Sequence, residues 1–253
     1  MVTDSQFSNR IGEIQIKWLL GSLNKIANAI IPNYLSTHTE LTDLYELLAF
    51  VSVIEYVEDI KYLLQKRKLP IPLIIRSIFE IYVAILWTNL DESNIKEITY
   101  RSCKEELKSL QSYHPYLDEQ EGYSKYKEER IMLLKKRIDE LKSGGVKLVD
   151  IKTKCEKLGL QFEYDIMYSL LSTEAHATLS ALEERHLLKK KKGSIRLVYD
   201  HQRKIANYKI ELLILFKCYT EIIRTFIKQC DTKFDKSITR IDVILDRALG
   251  ILT

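Results

Sequence analysis

The residues in this sequence best suited to chemistry are an arginine and a glutamate within its most apolar segment. Arg76 and Glu80 interrupt IPLIIRSIFEIYVAILW at residues 71–87, where almost every other side chain is apolar. This pattern is typical of a helix that is buried on most sides. Arginine does not lose its charge in proteins, and a buried charge without a partner strongly destabilises the fold. We therefore predict that Arg76 is buried and paired with Glu80, one helical turn away.

A second polar stripe occurs far downstream in another apolar segment. Its members recur at four-residue steps, which places them on one face of a helix: Tyr168, Ser172, His176 and Ser180. Two mainly apolar helices, each with a polar stripe, satisfy their polar groups best by facing one another. We therefore predict a cluster of Arg76, Glu80, Tyr168, Ser172 and His176. Two interpretations remain open: a buried network that fixes helix register, or a pocket in which arginine holds an anion and histidine moves a proton.

The two motifs together resemble those of a bacterial all-helical family of unknown function. RSIFE at 76–80 and SLLSTEAH at 169–176 match its Arg-Ser-x-x-Glu helix and its later Ser-x-x-x-His helix. The resemblance implies no activity. It implies that Arg76, Glu80, Ser172 and His176 are the functional positions.

A second resemblance is to the HEPN superfamily of all-helical domains, many of which are metal-independent ribonucleases in toxin and phage-defence systems. Arg196 and His201 fit the spacing of its hallmark, an arginine followed by histidine after four to six residues. Leu197 stands where that family usually has a polar residue. The alternative for Arg196 and His201 is the solvent-exposed start of a helix.

Metal-independent RNA cleavage needs a base for the 2′-hydroxyl proton, an acid for the leaving oxygen and a cation for the phosphate. Our first hypothesis is an HEPN-like effector, a ribonuclease toxin or phage-defence component, with His176 as acid or base and Arg76 as phosphate holder. Glu80 would orient Arg76, while Ser172 and Tyr168 would form hydrogen bonds to substrate or to histidine. The alternative is a non-enzymatic binding or scaffold protein whose network binds an anionic ligand or only fixes the core.

Apolar residues recur at helical spacing along most of the chain, which predicts an all-α domain of about nine helices over residues 1–253. The buried helix at 72–89 is central and packs against the helix at 163–188. The first helix ends at Pro32 and turns Ile14, Trp18, Ile26 and Ile30 inward. Residues 117–145 are a candidate projecting arm, and SIRLVY at 194–199 has strand character. The other helices are predicted at about 39–66, 93–113, 149–158, 201–230 and 236–252.

Composition favours a soluble cytoplasmic protein. Of 253 residues, 46% are hydrophobic and 29% charged, with a formal net charge of +4 that permits an acidic partner such as RNA. The N-terminal sequence lacks the apolar core of a signal peptide, and the run at 71–87 is shorter than a membrane span. Four scattered cysteines indicate reduced thiols. The expected ligand is RNA or a nucleotide. The expected protein partner is a second copy of the chain or a protein from a defence or toxin operon. Binding to a membrane is not expected.

Neither a metal nor a cofactor is expected. Glu183 and His186 form one Glu-x-x-His motif. Di-iron helical bundles need two such motifs and additional glutamates as ligands. Lys189–Lys192 can guide a nucleic-acid backbone, or else form the solvated end of a helix.

Overall fold

The fold is all-α, as predicted. A computed structural model describes residues 4–37, 40–66, 71–112, 123–175, 187–189, 195–197, 208–230 and 235–252. These residues form nine helices: α1 (Asp4–Thr37), α2 (Leu41–Lys66), α3 (Ile71–Leu90), α4 (Asn94–Ser112), α5 (Tyr123–Ser143), α6 (Ile151–Leu158), α7 (Gln161–Ala175), α8 (Lys209–Gln229) and α9 (Asp235–Leu252).

The chain folds into two compact units. One unit contains residues 1–85 and 159–253, and the other contains residues 86–158. The second unit includes α4, α5 and α6. The arm predicted at 117–145 covers only the part of this unit around α5. The single domain over 1–253 remains a prediction.

In the larger unit, α1 packs against α2, α8 and α9. Their core is apolar and partly aromatic: the Phe226 ring of α8 stacks on Phe50 of α2 at 4.3 Å between centroids and lies 4.8 Å from Tyr34 of α1. One polar network crosses this core, because buried Tyr219 donates to Asn24 and Asn24 donates to Glu58 at 2.5 Å. Such a satisfied network fixes the register of α1, α2 and α8.

Helix α1 differs from the prediction at its end and on its inner face. It continues through Pro32 to Thr37. Beyond the proline, Asn33 donates its side-chain amide to the Ala29 carbonyl at 3.2 Å, one of several local side-chain bonds to backbone carbonyls. The inward orientation predicted for Ile14 and Trp18 is wrong, since they are 64% and 56% exposed. The buried face instead contains Ile16, Leu19, Leu20, Leu23, Ile26 and Ile30.

The prediction of a helix over 163–188 is wrong at its end. Leu187–Lys189 forms strand β1, which pairs antiparallel with strand β2 (Ile195–Leu197) so that Leu188 lies opposite Arg196. Lys189 is therefore in a strand and not at a helix end. The strand character of SIRLVY is confirmed at 195–197. Helix α8 begins at Lys209, later than the predicted start at residue 201.

The smaller unit is held together by charged contacts. Arg130 of α5 binds Glu106 of α4 through two hydrogen bonds of 2.6 and 2.8 Å. Gly145, at φ 79°, adopts the left-handed conformation that is common at the end of a helix, here α5. Near the start of α4, buried Glu97 accepts a 2.6 Å hydrogen bond from Lys154 of α6.

Helix α3 is the one described helix whose length and apolarity would suit a membrane span. At 20 residues it is longer than the run at 71–87 indicated. About half of it is buried inside the protein, and soluble proteins contain core helices of the same kind. This feature therefore assigns the protein neither to a membrane nor to the cytoplasm.

All four cysteines are free thiols, and Cys155, Cys218 and Cys230 are buried. Burial raises the pKa of the Cys218 thiol far above its ordinary value. A thiol in this state is a poor nucleophile.

Candidate functional site

The centre of the candidate site is the ion pair of Arg76 and Glu80 on α3. Arg76 Nε donates a hydrogen bond of 2.9 Å to Glu80 Oε1. The prediction that the pair is buried is wrong: the Arg76 side chain is 29% exposed and that of Glu80 is 44% exposed. The guanidinium is therefore paired and also accessible from solvent.

The exposure follows from how α3 distributes its side chains. Its buried face consists of large apolar residues, among them Ile75, Ile78 and Phe79. Leu73 is followed by Arg76 and Ser77, three and four positions later, and Glu80 follows these by four and three, so all four lie on the opposite, partly exposed stripe. Arg76 and Glu80 thus mark the solvent side of a helix whose other sides are apolar.

Helix α7 meets α3 at this stripe, as predicted. The Tyr168 hydroxyl donates to Glu80 Oε1 at 3.3 Å, and Arg76 Cζ lies 4.6 Å from the centre of the Tyr168 ring. The carboxylate therefore binds both the cation and the phenol, while the aromatic ring lies against the guanidinium. A cation over an aromatic face contributes about 0.5–1 kcal/mol at an exposed position.

A further aromatic residue belongs to the site and was missed from the sequence. Tyr164, one turn before Tyr168, stacks on its ring with 4.4 Å between centroids and 26° between planes. We call Arg76, Glu80, Tyr164 and Tyr168 the arginine cluster. The available signal was the four-residue spacing of Tyr164 and Tyr168, which puts both rings on one face of α7.

Two observations show that α7 is packed and bonded through residues other than the tyrosines. Met167 is 1% exposed and lies on the buried face of α7. Glu163 in the first turn of α7 accepts a hydrogen bond from Lys217 of α8. The contacts of α7 are therefore not limited to those of its tyrosine rings.

Arg76 and Tyr168 are both protonated at neutral pH, because the pKa of each is raised. The hydrogen bond to Glu80 is the main cause that raises the pKa of the Arg76 guanidinium. Burial, with a contribution from the Glu80 carboxylate, raises the pKa of the Tyr168 hydroxyl. Arg76 and Tyr168 can therefore stabilise negative charge, but neither can take up a proton near neutral pH.

The remaining predicted site residues are only partly placed. Ser172 lies in α7 one turn after Tyr168, so the backbone positions of the two residues are on the same face of the helix. Arg196 is in strand β2. His176 and His201 lie outside the described residues, so the predicted association of His176 with Arg76 remains a prediction.

The arrangement can bind an anion beside an aromatic surface. The contact with Glu80 uses Nε of Arg76 and does not occupy the two terminal nitrogens. A guanidinium matches two oxygens of a phosphate or a carboxylate. Within the described part of the chain, no three histidine, cysteine, aspartate or glutamate side chains are grouped as metal ligands.

A family model described as a family of unknown function (DUF5677) matches residues 37–195, which include both RSIFE and SLLSTEAH. No curated protein and no solved structure matches the chain.

Proposed function

The chain belongs to the DUF5677 family, whose description names no activity, and we propose from its own residues that it is a metal-independent ribonuclease. The resemblance of its motifs to HEPN domains, in which Arg196 and His201 fit the hallmark spacing, supports a role as a toxin or phage-defence effector. The Arg-Ser-x-x-Glu and Ser-x-x-x-His motifs supply the residues for the reaction.

The observation that carries the proposal is the position of Arg76. Its guanidinium is oriented by Glu80 and lies against Tyr168, and the Arg76 side chain is 29% exposed. An arginine that only stabilised the core would not have to be accessible to solvent. An oriented, accessible guanidinium is suited to a phosphate on which negative charge increases during cleavage.

The remaining groups fit the reaction in the following way. A base removes the proton of the RNA 2′-hydroxyl, the 2′-oxygen attacks phosphorus, and the bond to the 5′-oxygen breaks as that oxygen takes a proton. The products are a cyclic phosphate and a free 5′-hydroxyl. His176 is the group for one of these proton transfers, because imidazole titrates near neutrality. Ser172 would form a hydrogen bond to the substrate or to His176.

Replacing Arg76 with alanine is expected to lower RNA cleavage about tenfold or more, because a hydrogen bond to a charged group contributes about 1.5–3 kcal/mol. The measurement is the initial rate of single-stranded RNA cleavage with EDTA present. Arg247→Ala, which removes an exposed arginine from α9, is the matched control. The absence of cleavage by the wild type, or equal cleavage by wild type and Arg76→Ala, would contradict the proposal.

The same cluster also favours a second function, capture of an anionic ligand without cleavage. Aromatic contact with an oriented arginine is a common way to bind nucleotides and phosphates. Under this alternative the wild type binds RNA or a nucleotide but leaves it intact, and Arg76→Ala weakens that binding.

A further inference from the structure

We propose that the arginine cluster recognises single-stranded RNA, with an unpaired base stacked on the Tyr164–Tyr168 pair beside the phosphate held by Arg76. This role rests on the action on RNA proposed above, and it specifies that the RNA bound at the site is single-stranded. It also assigns a binding role to Tyr164.

The geometry supplies both parts of a nucleotide site within a short distance. Tyr168 contacts the Arg76 guanidinium at 4.6 Å and the Tyr164 ring at 4.4 Å. The charged group and the two rings therefore form one continuous surface. In RNA, a base and the adjacent phosphate are joined through a single ribose, so neighbouring cationic and aromatic groups can bind them together.

Other residues of α7 also hold the helix in place. Among the described side chains of α7, Met167 is almost completely buried, and Glu163 in the first turn binds Lys217 of α8. Tyr164 and Tyr168 are both only partly buried. Rings that keep accessible surface next to an accessible cation are suited to stacking with a ligand.

The stacking surface selects unpaired bases. Within a duplex the faces of each base are covered by its neighbours, whereas single-stranded segments offer faces that can stack on aromatic side chains. Stacking of this kind contributes about 1–3 kcal/mol per base and tolerates any sequence. The cluster should therefore discriminate by strandedness more than by base identity.

The test uses a 2′-O-methyl RNA oligonucleotide, which lacks the attacking hydroxyl and stays intact during the measurement. Its affinity for the full-length protein is measured in single-stranded form and as a duplex with its complement. The variants are Tyr164→Leu, which removes the ring, and Tyr164→Phe, which retains it. Tyr126→Leu, which removes an exposed tyrosine of α5, is the matched control, and circular dichroism confirms that each variant is folded.

We expect Tyr164→Leu to weaken single-strand binding about 5- to 150-fold, the equivalent of one lost stacking contact. Tyr164→Phe and Tyr126→Leu should bind as the wild type does, and duplex affinity should not depend on Tyr164. Equal single-strand affinity of Tyr164→Leu and wild type would overturn the inference, even if the wild type cleaves RNA. Ring-dependent binding without cleavage of ordinary RNA would support the inference and contradict the ribonuclease proposal. A wild type that binds no RNA would overturn both.

Discussion

Replacing Glu97 with alanine is expected to lower the free energy of unfolding by about 3–5 kcal/mol, the usual cost of breaking a buried ion pair. The side chains of Glu97 and Lys154 are only 6% and 8% exposed, and Lys154 Nζ lies 2.6 Å from Glu97 Oε2. The second carboxylate oxygen accepts from Arg101 at 2.9 Å and from the Val149 backbone at 3.3 Å. In the Glu97→Ala variant, the Lys154 ammonium would stay buried but would lose the carboxylate that balances its charge. Urea denaturation followed by circular dichroism measures the change.

The matched control is Glu106→Ala on the same helix. Glu106 binds Arg130 through two short hydrogen bonds, but their side chains are 38% and 41% exposed. Exposed pairs contribute at most about 1 kcal/mol, so this variant should unfold close to the wild-type midpoint. The double replacement Glu97→Leu with Lys154→Met should recover much of the loss, because neither charge is then buried. Equal effects of Glu97→Ala and Glu106→Ala would show that burial does not determine the strength of these pairs.

Replacing His176 with alanine is expected to lower the rate of RNA cleavage about 10²- to 10⁴-fold, the range that general acid–base catalysis supplies. Arg76 and Tyr168 both have a raised pKa, so neither of them can accept a proton near neutral pH. His176 follows the last residue of α7 and is eight residues beyond Tyr168. The measurement is the cleavage rate at saturating RNA, which separates a lost chemical step from weakened binding.

Two comparisons make the His176 prediction specific. Added imidazole should partly restore cleavage by His176→Ala, which a purely structural histidine would not allow. His114→Ala should cleave as the wild type does. If His201→Ala loses the activity while His176→Ala retains it, the catalytic histidine belongs to the Arg196 and His201 motif and the assignment to α7 is wrong.

The periodicity of apolar residues predicted the helices well, because burial of one face determines where each helix can form. Proline and strand formation were harder to predict. Pro32 removes a single backbone donor, and local side-chain bonds such as that of Asn33 accompany the continuation of α1. Leu187 and Leu188 fit a helix by composition, but they pair with Leu197 and Arg196 of an antiparallel strand, and helical periodicity does not detect that pairing.

For the candidate site, the sequence predicted that Arg76, Glu80 and Tyr168 meet but not how exposed they are. The pairing of Arg76 with Glu80 follows from four-residue spacing, and the meeting of α3 with Tyr168 followed from matching two polar stripes. The error was to place Arg76 and Glu80 on the buried part of this apolar helix. The pairing of Glu97 with Lys154 joins residues 57 positions apart, and nothing in the local pattern separates Glu97 from the other 34 acidic residues of the chain.

The most direct test of Arg76 as a phosphate holder is the salt dependence of RNA binding. The dissociation constant of an uncleavable single-stranded oligonucleotide is measured at several salt concentrations for the wild type, Arg76→Ala and the control Arg247→Ala. Each phosphate contact releases counterions, so loss of one contact should reduce the slope of log K against log salt concentration by about 0.7. We predict that reduction for Arg76→Ala alone. An unchanged slope and affinity for Arg76→Ala would contradict the account.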